Sequence, residues 1–583
     1  MNGFLNRRKR KKQRFLFSLL CSLRVLLFKE FLCCASQMTR FVGKKSRLDR
    51  SLALPAWDRI TARQSLALPF SPPSLAQHGV VHFSFGVSAG LWFNRAMNQP
   101  AAGFSFQQAA RNAMLREGFQ PDFPPDVLAQ VKVLPDSPPA PPGRDLRDLL
   151  WSSIDNADSR DLDQVEWAER LPNGDIRVLV GIADVDWVVQ TGSPADLHAR
   201  DNATSVYTGG PVFAMLPERL STDLTSLRPE ADRAALVMEF VLDGSGEVRC
   251  ADVGAAVLRN RAQLNYDQVG QWLDGQSGAP CQGAAPAGLC DQLRLQKEAS
   301  QLLKRFRREH GALTLGGVES VPIVVDNQVE RFAILQENSA RDIIESFMIA
   351  ANVAMARFLR GRNSPCLRRV VRTPKRWDRI QEIAAQLGFK LPTEPDPKAL
   401  GEFLEQRRQA DAVHFPELSL AVLKSLGPGV YVVERPGTEH EGHFGLALND
   451  YTHSTAPNRR FADLAVQRLL KASLSGGPVP YAEADLSALA DHCTDRESAA
   501  RKVERFMQKV AAAALLAPQI GRTFDAIVTG AAEKGTYARL LSVPAEGRIV
   551  RGERGLDLGA QVRVRLLGVN AERGFIDFER VAG

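Results

Sequence analysis

Four aspartates fall within nine residues of this chain, Asp155, Asp158, Asp161 and Asp163, in the stretch SIDNADSRDLDQV at 153–165. No other feature limits its folding so sharply. Like charges at that density repel unless something neutralises them, so the stretch has to end in water or against a cation. Hard oxygen ligands at close spacing suit magnesium, which takes one or two carboxylates together with phosphate oxygens. Asp161 and Asp163 are two apart and share a side in extended backbone, and Asp155 can return from the end of a preceding strand. Gln164 stands beside them and can offer only a neutral oxygen. A solvated turn, with its aspartates engaged in caps and Asx bonds, satisfies the same spacing.

Two further stretches carry candidate chemistry. In HFGLALNDYTHSTAPNRRFADL at 443–464, Arg459 and Arg460 follow Pro457 and precede an apolar helical run that begins near Asp463. Guanidinium forks at a helix N-terminus match phosphate oxygens, and the backbone N–H groups there add donors. A surface ion pair with Asp463 is the competing reading. Tyr207 sits in a loop between apolar runs, where its ring either stacks on a base, worth roughly 1–3 kcal/mol, or packs in a core.

Composition bears on the partner question. The chain has 583 residues, 44% hydrophobic and 24% charged, which are ordinary globular values with length for several domains. The net charge of +8 suggests a nucleic-acid partner, yet residues 1–50 hold 14 Lys+Arg against 2 Asp+Glu and residues 51–96 hold 3 against 1, leaving 97–583 at −6. The basicity belongs to the leader, so a nucleic-acid argument has to come from sites. RRKRKKQR at 7–14 followed by FLFSLLCSLRVLLF at 15–28 faintly follows the order of a signal peptide, without a clean small-residue cleavage site. Its fourteen residues, interrupted by Arg24, are too few to span a bilayer at roughly 20 residues per helix. Residues 1–96 are read as a leader without a folded domain, with Met97 as the expected start of the protein proper. Eight scattered cysteines without a Cys-x-x-Cys argue against structural zinc and against a disulfide framework. A cytoplasmic location, no membrane association and a monomer are expected.

Along the chain, FSFQQAARNAMLREG at 104–118 and residues 125–134 predict two short helices. Residues 97–144 thus form a small helical module, either of winged-helix type or an extension packed on the next domain, closed by the Pro-rich linker LPDSPPAPPG at 134–143. Residues 145–515 read as one large mixed α/β region, with a buried strand at 176–183, a buried helix at 342–359, a Gly/Ala/Pro surface loop at 274–289 and amphipathic helices at 376–388 and 486–516. Residues 521–583 change to short alternating runs separated by glycine, five strands that suggest an all-β barrel of the OB type.

These blocks together resemble the catalytic domain of the ribonuclease II and ribonuclease R family, which includes the catalytic subunit of the eukaryotic exosome. The carrying residues are IDNADSRDLDQ (154–164), GIADVDWVVQTGS (181–193), TSVYTGGPVFAMLPERLSTDLTSLRP (204–229), IIESFMIAANVAMARFL (343–359) and HFGLALNDYTHSTAPNRRFADLAVQRLL (443–470), in family order. The last 60 or so residues, 521–583, are similar to the S1-type OB domain that follows in this family. The resemblance implies a magnesium-dependent 3′→5′ exoribonuclease, with manganese as a substitute ion, that degrades single-stranded RNA to nucleoside 5′-monophosphates. It implies Asp155 and Asp163 as metal ligands, Asp161 completing the acidic shell beside Gln164, and Arg459 as the phosphate contact. By the same resemblance Tyr207 stacks near the terminal base, and Glu345, His443 and Arg460 line the RNA path. Phe524 and Tyr537, helped by Lys534 and Arg539, are the candidate stacking rings of the last domain, and Arg368, Arg369, Arg372 and Lys375 are candidates for local positive charge.

Three departures from the family pattern stand out. Gln164 replaces the fourth aspartate, leaving Asp158 or Asp186 as candidates to compensate. Leu315, in EHGALTLGG at 309–317, occupies the place of a second stacking aromatic. Only 48 residues lie between Met97 and Arg144, too few for the cold-shock barrels that precede the catalytic domain in typical bacterial members. A catalytically impaired RNA-binding protein on the same scaffold is the alternative that Gln164 leaves open.

Overall fold

The strand Ile176–Ala183 reads IRVLVGIA and is buried at every position except Arg177, as its unbroken apolar run requires. It pairs antiparallel with Gln164–Arg170 on one side and with Asp232–Leu242 on the other. Across the sheet the six strands follow in the order Arg144–Asp145, Val248–Asn265, Trp151–Asp155, Gln164–Arg170, Ile176–Ala183 and Asp232–Leu242. The strand Val248–Asn265 pairs along its first part with Asp232–Leu242 and along its last part with Trp151–Asp155, so the sheet curls back on itself. Gly181 lies at a close approach in this curl, where a Cβ would stand 2.6 Å from Leu258 Cδ2. The antiparallel register sets Gln164 opposite both Ile154 and Ile182, so the acidic stretch and the end of the buried strand meet at one edge.

The structure is a computed structural model, and it describes residues 104–136, 142–280, 286–316, 320–412, 414–438, 441–532, 535–557 and 559–581. The leader 1–96 and Lys534 lie outside the described residues. The helix Ser339–Gly361 covers the sheet with Ile343, Phe347, Ala351 and Ala354, and Asn338 caps it by accepting from the amides of Ala340 and Arg341. Among the described residues no helix is long and apolar enough to cross a membrane. The expected surface loop at 274–289 is turn where it is described and ends as the helix Leu289–Glu309 begins. Cys366 and Cys493 are free and buried. Cys290 is disulfide-bonded.

The 34-residue helix Glu483–Leu516 connects the two large parts of the chain. On one flank Val503, Met507 and Val510 share a core with Phe106, Ala110, Ala113 and Met114 of the helix Phe106–Arg116, whereas Val127 and Val131 of the helix Pro125–Val133 join the core of the catalytic region, so the two N-terminal helices have no core of their own. Its last turn, through Ala512, Ala513 and Leu516, enters the core of the C-terminal barrel. That barrel closes in the order Thr523–Ala532, Gly535–Leu540, Glu546–Arg551, Phe575–Val581, Gln561–Asn570, with Glu546–Arg551 and Phe575–Val581 parallel. This is the OB arrangement expected from the five alternating runs. Strict alternation sends Val562, Val564 and Leu566 inward and their neighbours outward.

Candidate active site

Three segments converge on the sheet edge. The acidic stretch is pinned by the segment that follows it in space: Leu162 N donates to Ser226 Oγ at 3.0 Å, Ser226 Oγ donates to Arg160 O at 2.7 Å, and Leu227 N donates to Leu162 O at 3.0 Å. The segment Ala456–Phe461 is joined to the same support, with Thr225 Oγ1 donating to Asn458 Oδ1 at 2.7 Å. The Tyr207 segment is tied to it in turn, because Ser205 N donates to Arg459 O at 2.9 Å and Phe461 N donates to Ala203 O at 2.9 Å. Residues distant in sequence therefore face one another through buried backbone bonds, which hold side-chain positions more tightly than flexible side chains alone.

Asp163 is 3% exposed and accepts from Asn458 N at 3.3 Å and from Arg459 Nε at 3.2 Å. Burial pushes its carboxyl up to about 7, with Asp161 adding to the rise and Arg459 opposing it. Both oxygens of a residue expected to ligate metal are thus engaged with the arginine segment. The Arg459 side chain is 45% exposed, so the guanidinium that reaches Asp163 also presents a face to the surface. Asp161 is raised by burial and by the charge of Asp155. Asp155, at the end of its strand, accepts from Asn156 N at 2.7 Å and from Ser159 Oγ at 2.9 Å. Burial pushes the Tyr207 hydroxyl up, and the charges of Arg459, Asp161, Asp163 and Asp155 act on it. Glu504 of the long helix accepts from Tyr207 N at 3.3 Å.

Other expected residues take different places. Arg460 is held by Asp463 at 2.9 Å, the partner of the competing reading, but the pair is buried rather than at the surface, and it closes the first turn of the helix Phe461–Ser475. Glu345 is exposed on the outer side of its helix, with its charge acting on Arg307. His443 caps a short turn, its Nδ1 accepting from Leu446 N at 3.1 Å, and it lines a cavity of about 530 Å³ with His310, Arg372 and Lys375. Arg368 and Arg369 do not supply channel charge: Arg368 is 1% exposed and paired with Glu434 and Asp450, and Arg369 pairs with Glu497 at 2.7 Å. Of the two compensating acids, Asp186 is tied to Arg468 at 2.8 Å and Lys471 at 3.1 Å, and Asp158 is exposed on the turn. Leu315 packs against the apolar cluster around Trp377 and Phe403.

On the barrel, Phe524 is half-buried against the core, whereas Tyr537 is 39% exposed. Arg539 forms an ion pair with Glu417 of the catalytic region. A second ring, Phe575, is 55% exposed and was not anticipated. Strand register places Tyr537 beside Arg548 and Arg548 beside Asp577, two positions from Phe575 on the same outward face. The alternation of GFIDFERV, with Ile576 and Phe578 inward, carried that signal.

One residue at the sheet edge was also missed. Glu166 is completely buried, and neither carboxylate oxygen has a hydrogen-bond partner. Burial, and after it the charge of Asp155, pushes its carboxyl well up. Gln164, two residues before it on the same strand face, is 7% exposed and donates to Ile154 O at 3.5 Å.

Residues 143–476 match the family model described as the RNB domain, and residues 522–581 match that of the RNase II-type exonuclease C-terminal S1 domain. The chain belongs to the ribonuclease II and ribonuclease R family. It is 30% identical over 494 residues to ribonuclease R of Aquifex aeolicus, covering 79% of this chain and 68% of that one. It is 30% identical over 500 residues to ribonuclease R of Escherichia coli, covering 79% of this chain and 60% of that protein's length. The fold is similar to that of Mycoplasma genitalium RNase R in complex with ribose-methylated single-stranded RNA, with a TM-score of 0.74 at 23% identity over 82% of this chain and 78% of the other.

Members of this family generally depend on a divalent metal. Among the described residues no group of three or more His, Cys, Asp and Glu is arranged to hold a metal ion unaided. Magnesium does not require such a cage; one or two carboxylates with waters and substrate phosphates suffice. The charge of Asp155 opposes the ionisation of Asp161 in a partly desolvated position, and a bound cation would remove that cost. The residues present fit a divalent cation of that kind.

Proposed function

We propose that this chain is a magnesium-dependent 3′→5′ exoribonuclease that shortens single-stranded RNA to nucleoside 5′-monophosphates. The observation that carries the reading is the joining of Asp155, Asp161 and Asp163 to Arg459 and Tyr207 across one sheet edge, in a chain of the ribonuclease II and ribonuclease R family. Asp155 and Asp161, with the neutral oxygen of Gln164 near them, are the residues that would hold the ion. Bound there, Mg²⁺ would polarise the scissile phosphate and lower the pKa of a water. Asp163 fixes the orientation of the Arg459 fork, whose exposed face is placed to take a phosphate oxygen and the charge that develops on it. Tyr207 stacks on a base near the 3′ end, and its backbone tie to Glu504 fixes that platform against the long helix. The barrel face with Tyr537, Arg548 and Phe575 grips RNA upstream of the reacting end.

The runner-up, an RNA-binding protein without catalysis, draws on a single observation, the neutral Gln164 in place of a carboxylate. The full chain with a 5′-labelled single-stranded RNA and Mg²⁺ decides between them, beside Asp155→Asn and a DNA oligonucleotide of equal sequence. A ladder that shortens from the 3′ end, lost with EDTA and in Asp155→Asn, is the expected result. Tight RNA binding without shortening, in Mg²⁺ and in Mn²⁺, would overturn the enzyme reading in favour of the scaffold.

A further inference from the structure

The segment that carries Tyr207 is fastened at its base and at its tip. At the base Ser205 N donates to Arg459 O at 2.9 Å and Met215 N donates to Ser205 Oγ at 2.9 Å, which joins it to the arginine of the site. From there Val206–Tyr207 pairs antiparallel with Val212–Phe213, and the chain turns through Gly209 and Gly210. That turn is wedged between two elements from distant parts of the chain. Gly209 is left-handed, with φ +82°, and a Cβ there would run into the ring of Pro322 on the strand Ser320–Val325. A Cβ at Gly210 would stand 2.9 Å from Phe106 Cε1, on the first N-terminal helix, and 3.5 Å from Val324 Cγ2. The two walls of the wedge hold each other. Ser320–Val325 pairs with Gln328–Ile334, and in the turn between them Asn327 accepts from Gln107 N at 2.8 Å. It thereby caps the helix Phe106–Arg116 beside Ser105, which accepts from Gln108 N at 3.2 Å. Phe106 and Val206 are completely buried in one core, with Val324 packed against it. A second grip lies just upstream of Tyr207, where Gln120 N donates to Asn202 Oδ1 at 3.0 Å and Asn202 Nδ2 donates to Gln120 O at 2.9 Å.

We propose that the N-terminal helix Phe106–Arg116 and the hairpin Ser320–Ile334 form a clamp that positions Tyr207, with Phe106 as its positioning residue. The proposal rests on the reading of Tyr207 as the platform for a base near the 3′ end. It gives the residues ahead of the catalytic region a task in the reaction. An isolated two-stranded hairpin is marginal in water, so a ring carried on one needs support from outside to stay in place. The stacked base in turn sets where the last phosphodiester lies, and a misplacement of about 1 Å can cost on the order of 10²-fold in rate.

Filling the wedge and then relieving it tests the clamp. Gly210→Ala sets a methyl against the Phe106 ring, and Phe106→Leu in the same chain removes the ring edge that it meets. The full chain is bound in EDTA to a 5′-labelled oligouridine whose 3′-terminal base is 2-aminopurine. Emission of that base reads stacking, and anisotropy of the label reads affinity. Melting checks that each variant folds. Asn327→Gly, which keeps the left-handed turn and removes the cap acceptor, replaces Gly210→Ala if the latter does not fold, and is judged by the same combination with Tyr207→Ala. Binding to wild type should quench the emission, and Tyr207→Ala and Gly210→Ala should each lose the quench and weaken binding by about fivefold or more. Gly210→Ala with Phe106→Leu should regain the quench and bind as wild type does to within about twofold, and Gly210→Ala should add no more than about twofold to Tyr207→Ala. A merely structural effect would instead add in full to that of Tyr207→Ala. Gly210→Ala behaving as wild type while Tyr207→Ala does not would overturn the proposal and leave Tyr207 as the platform. Losses that add in the combined variant, or that Phe106→Leu does not relieve, overturn it as well. Tyr207→Ala without effect on either readout overturns the clamp and the platform together. The expected emission pattern in a chain that never shortens RNA with Mg²⁺ would uphold the clamp and sink the enzyme reading instead.

Discussion

The sheet edge and the barrel face use polar side chains in opposite ways. At the sheet edge the candidate groups are tied down by hydrogen bonds: the Asp163 carboxylate by the Arg459 guanidinium and the Asn458 backbone N–H, the Tyr207 backbone N–H by Glu504, and the Arg460 guanidinium by Asp463. The positions are set before any ligand arrives, and burial has moved the ionisation of Asp163 and Asp161. On the barrel, Tyr537 and Phe575 stand outward on a solvated face, flanked by Arg548, with the apolar core behind them. Preorganised charge matters most for a reaction step, while exposed rings contribute grip that is graded and additive. On the proposed reading, chemistry and hold fall to separate parts of the chain, and substitutions should separate into effects on kcat and effects on KM.

The largest effect is expected at Asp163. Asp163→Asn removes the charge that fixes Arg459 while keeping the shape, and RNA shortening should fall by ~10³-fold, in the range of losing a preorganised charged group. RNA binding in EDTA, measured by fluorescence anisotropy, should stay within about threefold, since binding of this kind draws on many phosphate contacts. A parallel collapse of binding would break the division between the two regions. Next in size is Arg459→Lys, which keeps the charge and loses the fork; a fall in kcat of ~10²-fold with little change in KM is expected from single-turnover kinetics.

Tyr537→Ala and Phe575→Ala sharpen the other half of the comparison. Each removes one exposed ring, and each should weaken RNA affinity by roughly 1–3 kcal/mol, about 5- to 150-fold, with kcat unchanged. Phe524→Leu serves as the control, because that ring packs against the barrel core and its loss should leave RNA affinity where it was.

How much of this was legible in the sequence depends on whether the signal was local. The strand Ile176–Ala183, the helix Ser339–Gly361 and the five barrel strands follow from period and punctuation, which are written in consecutive residues. The acidic stretch and Arg459 were legible as types of chemistry, and the family resemblance ordered them. What sequence could not carry was which polar residues would neutralise one another across long separations. Arg368 read as channel charge and is paired in the interior with residues 66 and 82 positions away, whereas the partner of Arg460, three positions on, was among the readings the sequence offered. Phe575 and Glu166 were within reach. Both are marked by alternation in a strand, Phe575 opposite the inward Ile576 and Phe578, and Glu166 on the face of Gln164.

The smallest effect is one of pH, and it tests whether the two regions can be told apart without any RNA. The barrel strands from Thr523 to Val581 contain no histidine, while the catalytic region holds His443 and His453 in neutral positions. Burial, with the Arg369 charge adding to it, moves His443 down to about 4, and its Nδ1 has to stay unprotonated to accept from Leu446 N. A histidine whose folded pKa lies below its unfolded value of about 6.5 adds stability above that pH. As pH falls from about 6.5 towards 4 the unfolded chain takes up the proton first, and that stability, about 3 kcal/mol at most, is lost. Asp163 acts in the opposite sense over the same range, because its folded carboxyl is raised and protonation favours the native state. The clean quantity is therefore the difference between wild type and His443→Gln, whose side-chain oxygen keeps an acceptor for Leu446 N without titrating. That difference in unfolding free energy should shrink as the pH is lowered from 7 to 4, followed by urea titration with tryptophan emission, to which the barrel contributes nothing because its strands contain no tryptophan. A difference that stays constant with pH would mean that His443 titrates alike in the folded and the unfolded chain, and the acid response would then have to be assigned to His453 and the buried carboxyls.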